Sequence, residues 1–216
     1  MSRFSVMIFT ISILLISCNK DDTSPQGQQV VEDNFFALKV GNSWIYNFFK
    51  PNNSTGVLEN VGVQVEVEVI GETTIMENRY YTIQTTTIGN DNFECTLCEE
   101  NGVSTLQVRD SLGYLIDGSG NILFSSENTQ DYLVASYGWG DVYKVLRENE
   151  VLVTVPAGQF SCLLNEKYAI NPDGDLFDGR ALQYFSEGGG EIKRTFVAVT
   201  SGRLFFEKQL MSFNIN

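Results

Sequence analysis

Five valines stand at every second position, Val61, Val63, Val65, Val67 and Val69, and alternate with Gly62, Gln64, Glu66 and Glu68. Successive side chains of an extended strand point to opposite faces, so this spacing makes one apolar and one wet face only if the segment is a β-strand. Wound as a helix, the same valines would be scattered around the cylinder and leave no stripe to bury. The segment Tyr80–Ile88 is dense in aromatic and β-branched residues, and Glu77-Asn78 before it supplies a turn, so the two segments are expected to pair as a hairpin. A second hairpin is expected where Gly113–Asp117 and Asn121–Ser125 flank Gly118-Ser119-Gly120, whose glycines accept the positive φ of a tight reversal. Further strands are predicted at Ser43–Phe49, Val103–Arg109, Val142–Arg147, Val151–Val155, Phe160–Ile170, Ala181–Ser186, Glu191–Val199 and Leu204–Asn214. Gln130–Tyr137 is the nearest the chain comes to a helical stretch after Ile16. The predicted class is all-β and mainly antiparallel: a single strongly curved sheet, a sandwich or an incomplete barrel, with at most one short helix.

The chain has 216 residues, 43% of them hydrophobic and 19% charged, enough apolar content for one core. Its first 17 residues have the form of an export signal: Arg3 near the start, an apolar run from Phe4 to Ile16, and a small residue, Ser17, before Cys18. An apolar run of this length rises only about 20 Å as a helix, short of a hydrocarbon core of about 30 Å. Residues 18–34, with Thr23-Ser24-Pro25-Gln26-Gly27-Gln28-Gln29, are too polar to pack and are expected to form a tether. Residues 35–216 are expected to form one β-rich domain. The formal net charge is −13, from 14 cations and 27 acids, so nucleic acid is not an expected partner. The absence of histidine excludes Ser-His-Asp and Cys-His catalysis and histidine metal sites.

Leu15-Ile16-Ser17-Cys18 resembles the bacterial lipoprotein lipobox. The resemblance implies that a diacylglycerol is added to the Cys18 thiol, that the chain is cut before Cys18, and that the new amine is acylated, with palmitate-type chains. At about 0.8 kcal/mol per buried CH₂, two or three such chains anchor a protein durably without a spanning helix. Lys20-Asp21-Asp22 is similar to the surface-export signal of Bacteroidetes lipoproteins, which implies the outer leaflet of the outer membrane; a periplasm-facing anchor is the alternative. Three segments of the domain also resemble exported bacterial proteins. Leu38-Lys39-Val40-Gly41-Asn42-Ser43-Trp44-Ile45-Tyr46 matches an "lkvGntWtY" opening, Val155-Pro156-Ala157-Gly158-Gln159-Phe160 a "VPAGtF" signature, and Tyr184–Lys193 a "YyapGvGlvk" element. Together they resemble the TapB-like and related domain-of-unknown-function lipoproteins of the Bacteroidetes, over residues 35 to about 213. The resemblance implies a β-rich exported domain and no particular chemistry. Glu187 stands where that pattern has proline, and Gly189 where it has an apolar residue.

The remaining chemistry is sparse. Cys95-Thr96-Leu97-Cys98 has the spacing of redox and zinc sites, but it lacks both a βαβ setting and two further ligands. In an oxidising envelope a local disulfide between Cys95 and Cys98, or two inert thiols, fits better. Cys162 in a predicted strand is expected to be buried as a small apolar residue. Asp173, Asp175 and Asp178 stand among glycines in one turn, a candidate calcium loop whose alternative is a solvated hairpin turn. Trp139, between Gly138 and Gly140, is a candidate ligand-stacking platform in a loop. No carboxylate pair stands out for glycoside hydrolysis, and no catalytic residue is identifiable. The reading that follows is a membrane-anchored envelope lipoprotein with a non-enzymatic binding or scaffolding domain and no required cofactor. Carriage of a hydrophobic ligand in a β-lined cavity is the alternative, with a carboxylate-based glycan hydrolase behind it. The ligand, whether protein, glycan or lipid, is left open.

Overall fold

The computed structural model describes residues 35–91 and 95–216. The export signal over 1–17, the Cys18 lipidation site and the tether over 18–34 lie outside the described residues. Asp33–Asn216 form one compact unit that contains all the strands and both buried clusters among the described residues.

Its strands are β1 Ser43–Pro51, β2 Leu58–Ile75, β3 Asn78–Ile88, β4 Gly102–Ser111, β5 Tyr114–Asp117, β6 Ile122–Ser125, β7 Tyr132–Tyr137, β8 Gly140–Val155, β9 Gly158–Ile170, β10 Ala181–Ser186, β11 Gly190–Val197 and β12 Leu204–Asn214. They form one antiparallel sheet in the order β6-β5-β4-β3-β2-β1-β12-β11-β10-β9-β8-β7. Every strand lies beside its sequence neighbour except β6 and β7, because the first strand pairs with the last (Trp44 opposite Phe213, Tyr46 opposite Leu210). Among the described residues the result is a nearly closed barrel whose only gap falls between β6 and β7. No described residue is helical.

The turns show why the chain reverses where it does. Met76 and Glu77 both have positive φ, 47° and 66°, as the two central residues of a type I′ hairpin require. The reversal thus sits one residue before the predicted Glu77-Asn78. Pro156-Ala157 form the tip of the long β8–β9 hairpin, and the Ala157 N–H donates to the Leu210 carbonyl of β12 at 3.1 Å. Val142–Arg147 and Val151–Val155, predicted as two strands, are one: β8 runs through an irregularity between Arg147 and Val151, which leaves Glu148 and Glu150 exposed. The helical expectation over Gln130–Tyr137 is corrected: Tyr132–Tyr137 is β7, paired antiparallel with β8. Its aromatic and β-branched residues favour a pleated surface, and the β8 edge supplies the hydrogen bonds that decide the matter.

Two buried clusters fill the barrel. Trp44, Tyr46, Val63, Val65, Val69, Ile192 and Leu210 belong to one, and Phe36, Val108, Leu115, Phe124 and Phe185 to the other. Fully burying each such side chain contributes about 1.5–3 kcal/mol. The three segments that resemble exported lipoproteins serve this core. The Trp44 indole N–H donates to the Gly189 carbonyl at 2.7 Å, and the Tyr46 hydroxyl donates to the Glu191 carbonyl at 2.8 Å. Gly190 has φ +78°, and a Cβ there would come within 3.0 Å of the indole nitrogen, so the Gly188–Gly190 turn is shaped to receive a tryptophan.

Closure across the gap is made by side chains. Asn165 of β9 presents its amide to the edge of β6: the Ser125 N–H donates to Oδ1 at 3.1 Å, and Nδ2 donates to the Ser125 carbonyl at 2.8 Å. One side chain thus stands in for a strand partner. The Lys144 ammonium on β8 donates to the Leu123 carbonyl at 2.8 Å, satisfying a second main-chain group of the same edge. These bonds blunt an edge that would otherwise be open to pairing with another chain.

Candidate functional site

The inner row of side chains follows from the registers. Lys208 on β12 is opposite Arg194 on β11, Arg194 opposite Gln183 on β10, Gln183 opposite Asn165 on β9, and Asn165 opposite Leu146 on β8. Residues directly opposite one another share a face, so four polar side chains and Leu146 line one belt across five strands. One step along the strands, Lys167 is opposite both Lys144 and Ala181, and one step further Val142 is opposite Ala169 and Ala135. The face therefore grades from cationic to apolar along the strands.

A cavity of about 420 Å³ opens over this face, lined by β7 to β11. Its throat includes Ala135, Val142, Ala169, Phe196 and Val199, and its lip carries Tyr137 and Trp139. Trp139 sits in the β7–β8 turn, 44% exposed, stacked on Tyr137 with ring centres 5.1 Å apart and edge-on to Phe177 at 5.8 Å. At the inner end stand Lys144, Lys167 and Arg194, and no acidic residue is among those lining the cavity. In a chain with 27 acids to 14 cations, that segregation is the reverse of the bulk composition.

The electrostatics match the geometry. Burial, with Arg194 and Lys167 adding repulsion, pulls the Lys144 ammonium down to about 8, Glu191 working the other way. Burial and then Arg194 lower Lys167 as well. Lys167 has no carboxylate partner among the described residues. The carboxylate of this region is Glu191, which is buried and is not among the residues lining the cavity. It accepts from the Gln183 amide at 3.0 Å, pairs with Arg194 at 2.5 Å and pairs with Lys208. Burial alone would raise Glu191, but Arg194 and Lys208 outweigh it and hold the group at about 2. Glu191 is thereby committed to Arg194 and Lys208.

Of the residues singled out in the sequence, Trp139 lies at this cavity. So does Leu97, carried by the loop between β3 and β4, in which Cys95 and Cys98 form a disulfide with their Cα atoms 5.3 Å apart. Cys95 is fully buried against the Trp44 cluster, so the bond ties the loop to the core and holds Leu97 at the cavity. Removing it with Cys95→Ser and Cys98→Ser is expected to cost no more than about 2 kcal/mol, because so short a loop constrains little of the unfolded chain; urea unfolding with and without reductant checks this. Cys162 is a buried free thiol, pushed up to about 11 by burial first and then by Glu150.

Asp173, Asp175 and Asp178 stand between β9 and β10, where the Asn171 side chain accepts from the N–H groups of Asp173 and Asp175. Among the described residues no group of three or more Asp, Glu or Cys side chains, these three included, is gathered as a metal-binding set. A separate cavity of about 470 Å³ includes Asp110, Glu127, Glu150 and Glu187 among its lining residues and no cation. Its Asp110 is raised by burial, with Glu127 adding to that and the Gly113 N–H opposing it.

Lys144, Lys167 and Arg194 were not singled out in the sequence. A signal for two of them was present: Val142-Lys144-Leu146 and Asn165-Lys167-Ala169 each put a lysine on the inward face of a strand.

No family model matches the chain, and no curated protein matches it by sequence. Two solved structures are similar. A candidate exported protein with YmcC-like fold from Bacteroides fragilis NCTC 9343 matches over 83% of this chain and 98% of its own, at 12% identity and a TM-score of 0.48. A candidate lipoprotein from Parabacteroides distasonis ATCC 8503 matches over the same shares, at 10% identity and a TM-score of 0.50. Neither bears a TapB-like description. At that identity the likeness to the P. distasonis protein is one of fold alone.

Proposed function

We propose that this chain is an envelope lipoprotein, anchored through Cys18, whose β-barrel binds a small amphipathic ligand without catalysing a reaction on it. The observation that carries this reading is the cavity of about 420 Å³ with an aromatic lip, an apolar throat and three cations, Lys144, Lys167 and Arg194, among its lining residues. Binding sites for small molecules have this make-up, mostly apolar walls with a few placed polar groups, and barrel mouths are a common place for them. The lipobox at Leu15–Cys18 supports anchoring, as does the likeness of fold to a candidate lipoprotein. Lys20-Asp21-Asp22 supports display on the outer face of the outer membrane. The missing histidine and the commitment of Glu191 to two cations support a role in binding rather than turnover.

The test uses N-phenyl-1-naphthylamine, an uncharged dye that brightens in apolar surroundings, with the chain from Asn19 onward, which contains the whole compact unit and needs no detergent. Saturable one-site enhancement is expected. Trp139→Ala should weaken it about threefold to tenfold, the value of one aromatic contact of about 0.5–1.5 kcal/mol. Absence of saturable binding, or unchanged affinity in the variant, would remove the cavity as the functional site. Protease treatment of intact cells, alongside a Cys18→Ala control, tests display: release of the domain is expected only when Cys18 is present.

A further inference from the structure

The cavity's inner end contains more positive charge than the fold requires. Lys144 and Lys167 are directly opposite each other on β8 and β9, an arrangement of like charges that costs stability in a sheet. Arg194 adds a third cation on the same lining. Part of this charge has a structural use: Lys144 donates one hydrogen bond to the Leu123 carbonyl, and Arg194 pairs with Glu191. Lys167 has neither a hydrogen-bond partner nor an ion-pair partner among the described residues. A methionine or leucine at that position would fill the same space without the repulsion, so the ammonium calls for a use that folding does not supply.

Resting on the reading of this cavity as a ligand site, we infer that its ligand is a single-chain amphiphile with an acidic head, carboxylate or phosphate. The head lies against Lys144, Lys167 and Arg194, and the chain runs out past Val142 and Ala169 toward Trp139. The register fixes that direction, because the lysine pair is one step further along the strands than the Val142–Ala169 pair, and the β7–β8 turn bearing Trp139 lies beyond them. An acidic head relieves the repulsion between the lysines, and its charge-assisted hydrogen bonds replace water in a partly enclosed space where they count for more. A basic head is repelled, and an uncharged one leaves the repulsion in place.

The charged and titratable groups around Lys144 are Tyr132 on β7, Lys167 on β9, and Arg194 and Glu191 on β11, with Lys208 on β12 behind them. The free Lys144 ammonium is lost near pH 8, and a bound anion draws it back toward the ordinary lysine range. Binding of the acidic amphiphile therefore takes up a proton above pH 8, and affinity falls as the pH rises from there.

The experiment is displacement of N-phenyl-1-naphthylamine from the chain from Asn19 onward by tetradecanoate, tetradecyl phosphate, tetradecanol and tetradecyltrimethylammonium. At pH 7 the two acids are expected to bind at least tenfold more tightly than the alcohol, and the ammonium amphiphile least tightly. The tighter of the two acids names the head group. Lys167→Met should lose most of the preference for acid over alcohol, and Lys144→Met should narrow it. In the unaltered protein, tetradecanoate affinity should drop severalfold between pH 7.5 and 9.5 while tetradecanol affinity stays level, a readout that needs no variant to fold. Dye binding with no preference for acid, or with the ammonium amphiphile binding as well as the acids, would overturn this inference and leave the cavity's role as a ligand site standing. Loss of dye binding itself would remove both.

Discussion

Glu191→Gln is expected to lower the free energy of unfolding by about 3–5 kcal/mol, the cost of removing one partner from a buried charge cluster. The carboxylate is 8% exposed and holds Arg194 and Lys208 at once, with Lys208 also lying over the Tyr46 ring at 4.3 Å. Burial depresses Lys208, and Glu191 offsets part of that. A glutamine keeps the shape and can still accept from Gln183, but its NH₂ group meets an ammonium and two cations are left unneutralised beside the Lys144–Lys167 pair. Urea unfolding at pH 7 checks the magnitude.

The pH dependence tests the cause. The Glu191 carboxyl is held at about 2, below its ordinary 4.5. A depressed carboxyl contributes stability that is fully present above the unfolded-state value and is lost as the pH falls toward the folded one. The gap between the unaltered protein and Glu191→Gln should therefore be full at neutral pH, shrink from about pH 4.5 downward, and close near pH 2. A gap that persists unchanged to pH 2 would mean that packing, not charge, had been lost.

Asn165→Ala is expected to cost about 2–5 kcal/mol. It strips partners from the N–H and the carbonyl of Ser125, and each buried main-chain group left unsatisfied costs about 1–3 kcal/mol. Asn165 is 1% exposed and Ser125 is fully buried, so water does not readily replace the lost bonds. The loss is also local in a way that packing defects are not. Amide hydrogen exchange should accelerate first in β6 and its pairing with β5, because the seam there is made by side chains, while the β1–β12 pairing keeps its protection. Uniform acceleration through the barrel would mean that Asn165 supports the core in general rather than the seam.

The strands were legible because their information is local. Alternation in Val61–Val69 and the turn residues at Gly118-Ser119-Gly120 act over a few neighbouring residues, and both hairpins formed, the second at its predicted turn and the first with its reversal one residue earlier than predicted. Where local signals were weak, the structure decided otherwise: Tyr132–Tyr137 became a strand because an unpaired β8 edge lay beside it, and the two halves of β8 joined because one long partner, β9, spans both. The aspartates of Asp173–Asp178 drew notice by density in sequence, yet density along a chain does not make side chains converge. Trp139 drew notice for its setting between glycines and does lie at the cavity lip. The basic cluster drew none, because its members are far apart in the chain and each is an unremarkable charge in its own strand.

By itself, then, the sequence determined an all-β class and the position of nearly every strand, since each follows from the period and composition of contiguous residues. Only the tertiary structure decided that the first and last strands pair, that Asn165 closes the seam to Ser125, and that Lys144, Lys167 and Arg194 meet under Trp139. Those outcomes depend on the register between strands distant in the chain. A one-residue slip in any of those registers would carry the lysines to the other face, and what holds each register is the sum of the barrel's packing rather than any run of neighbouring residues.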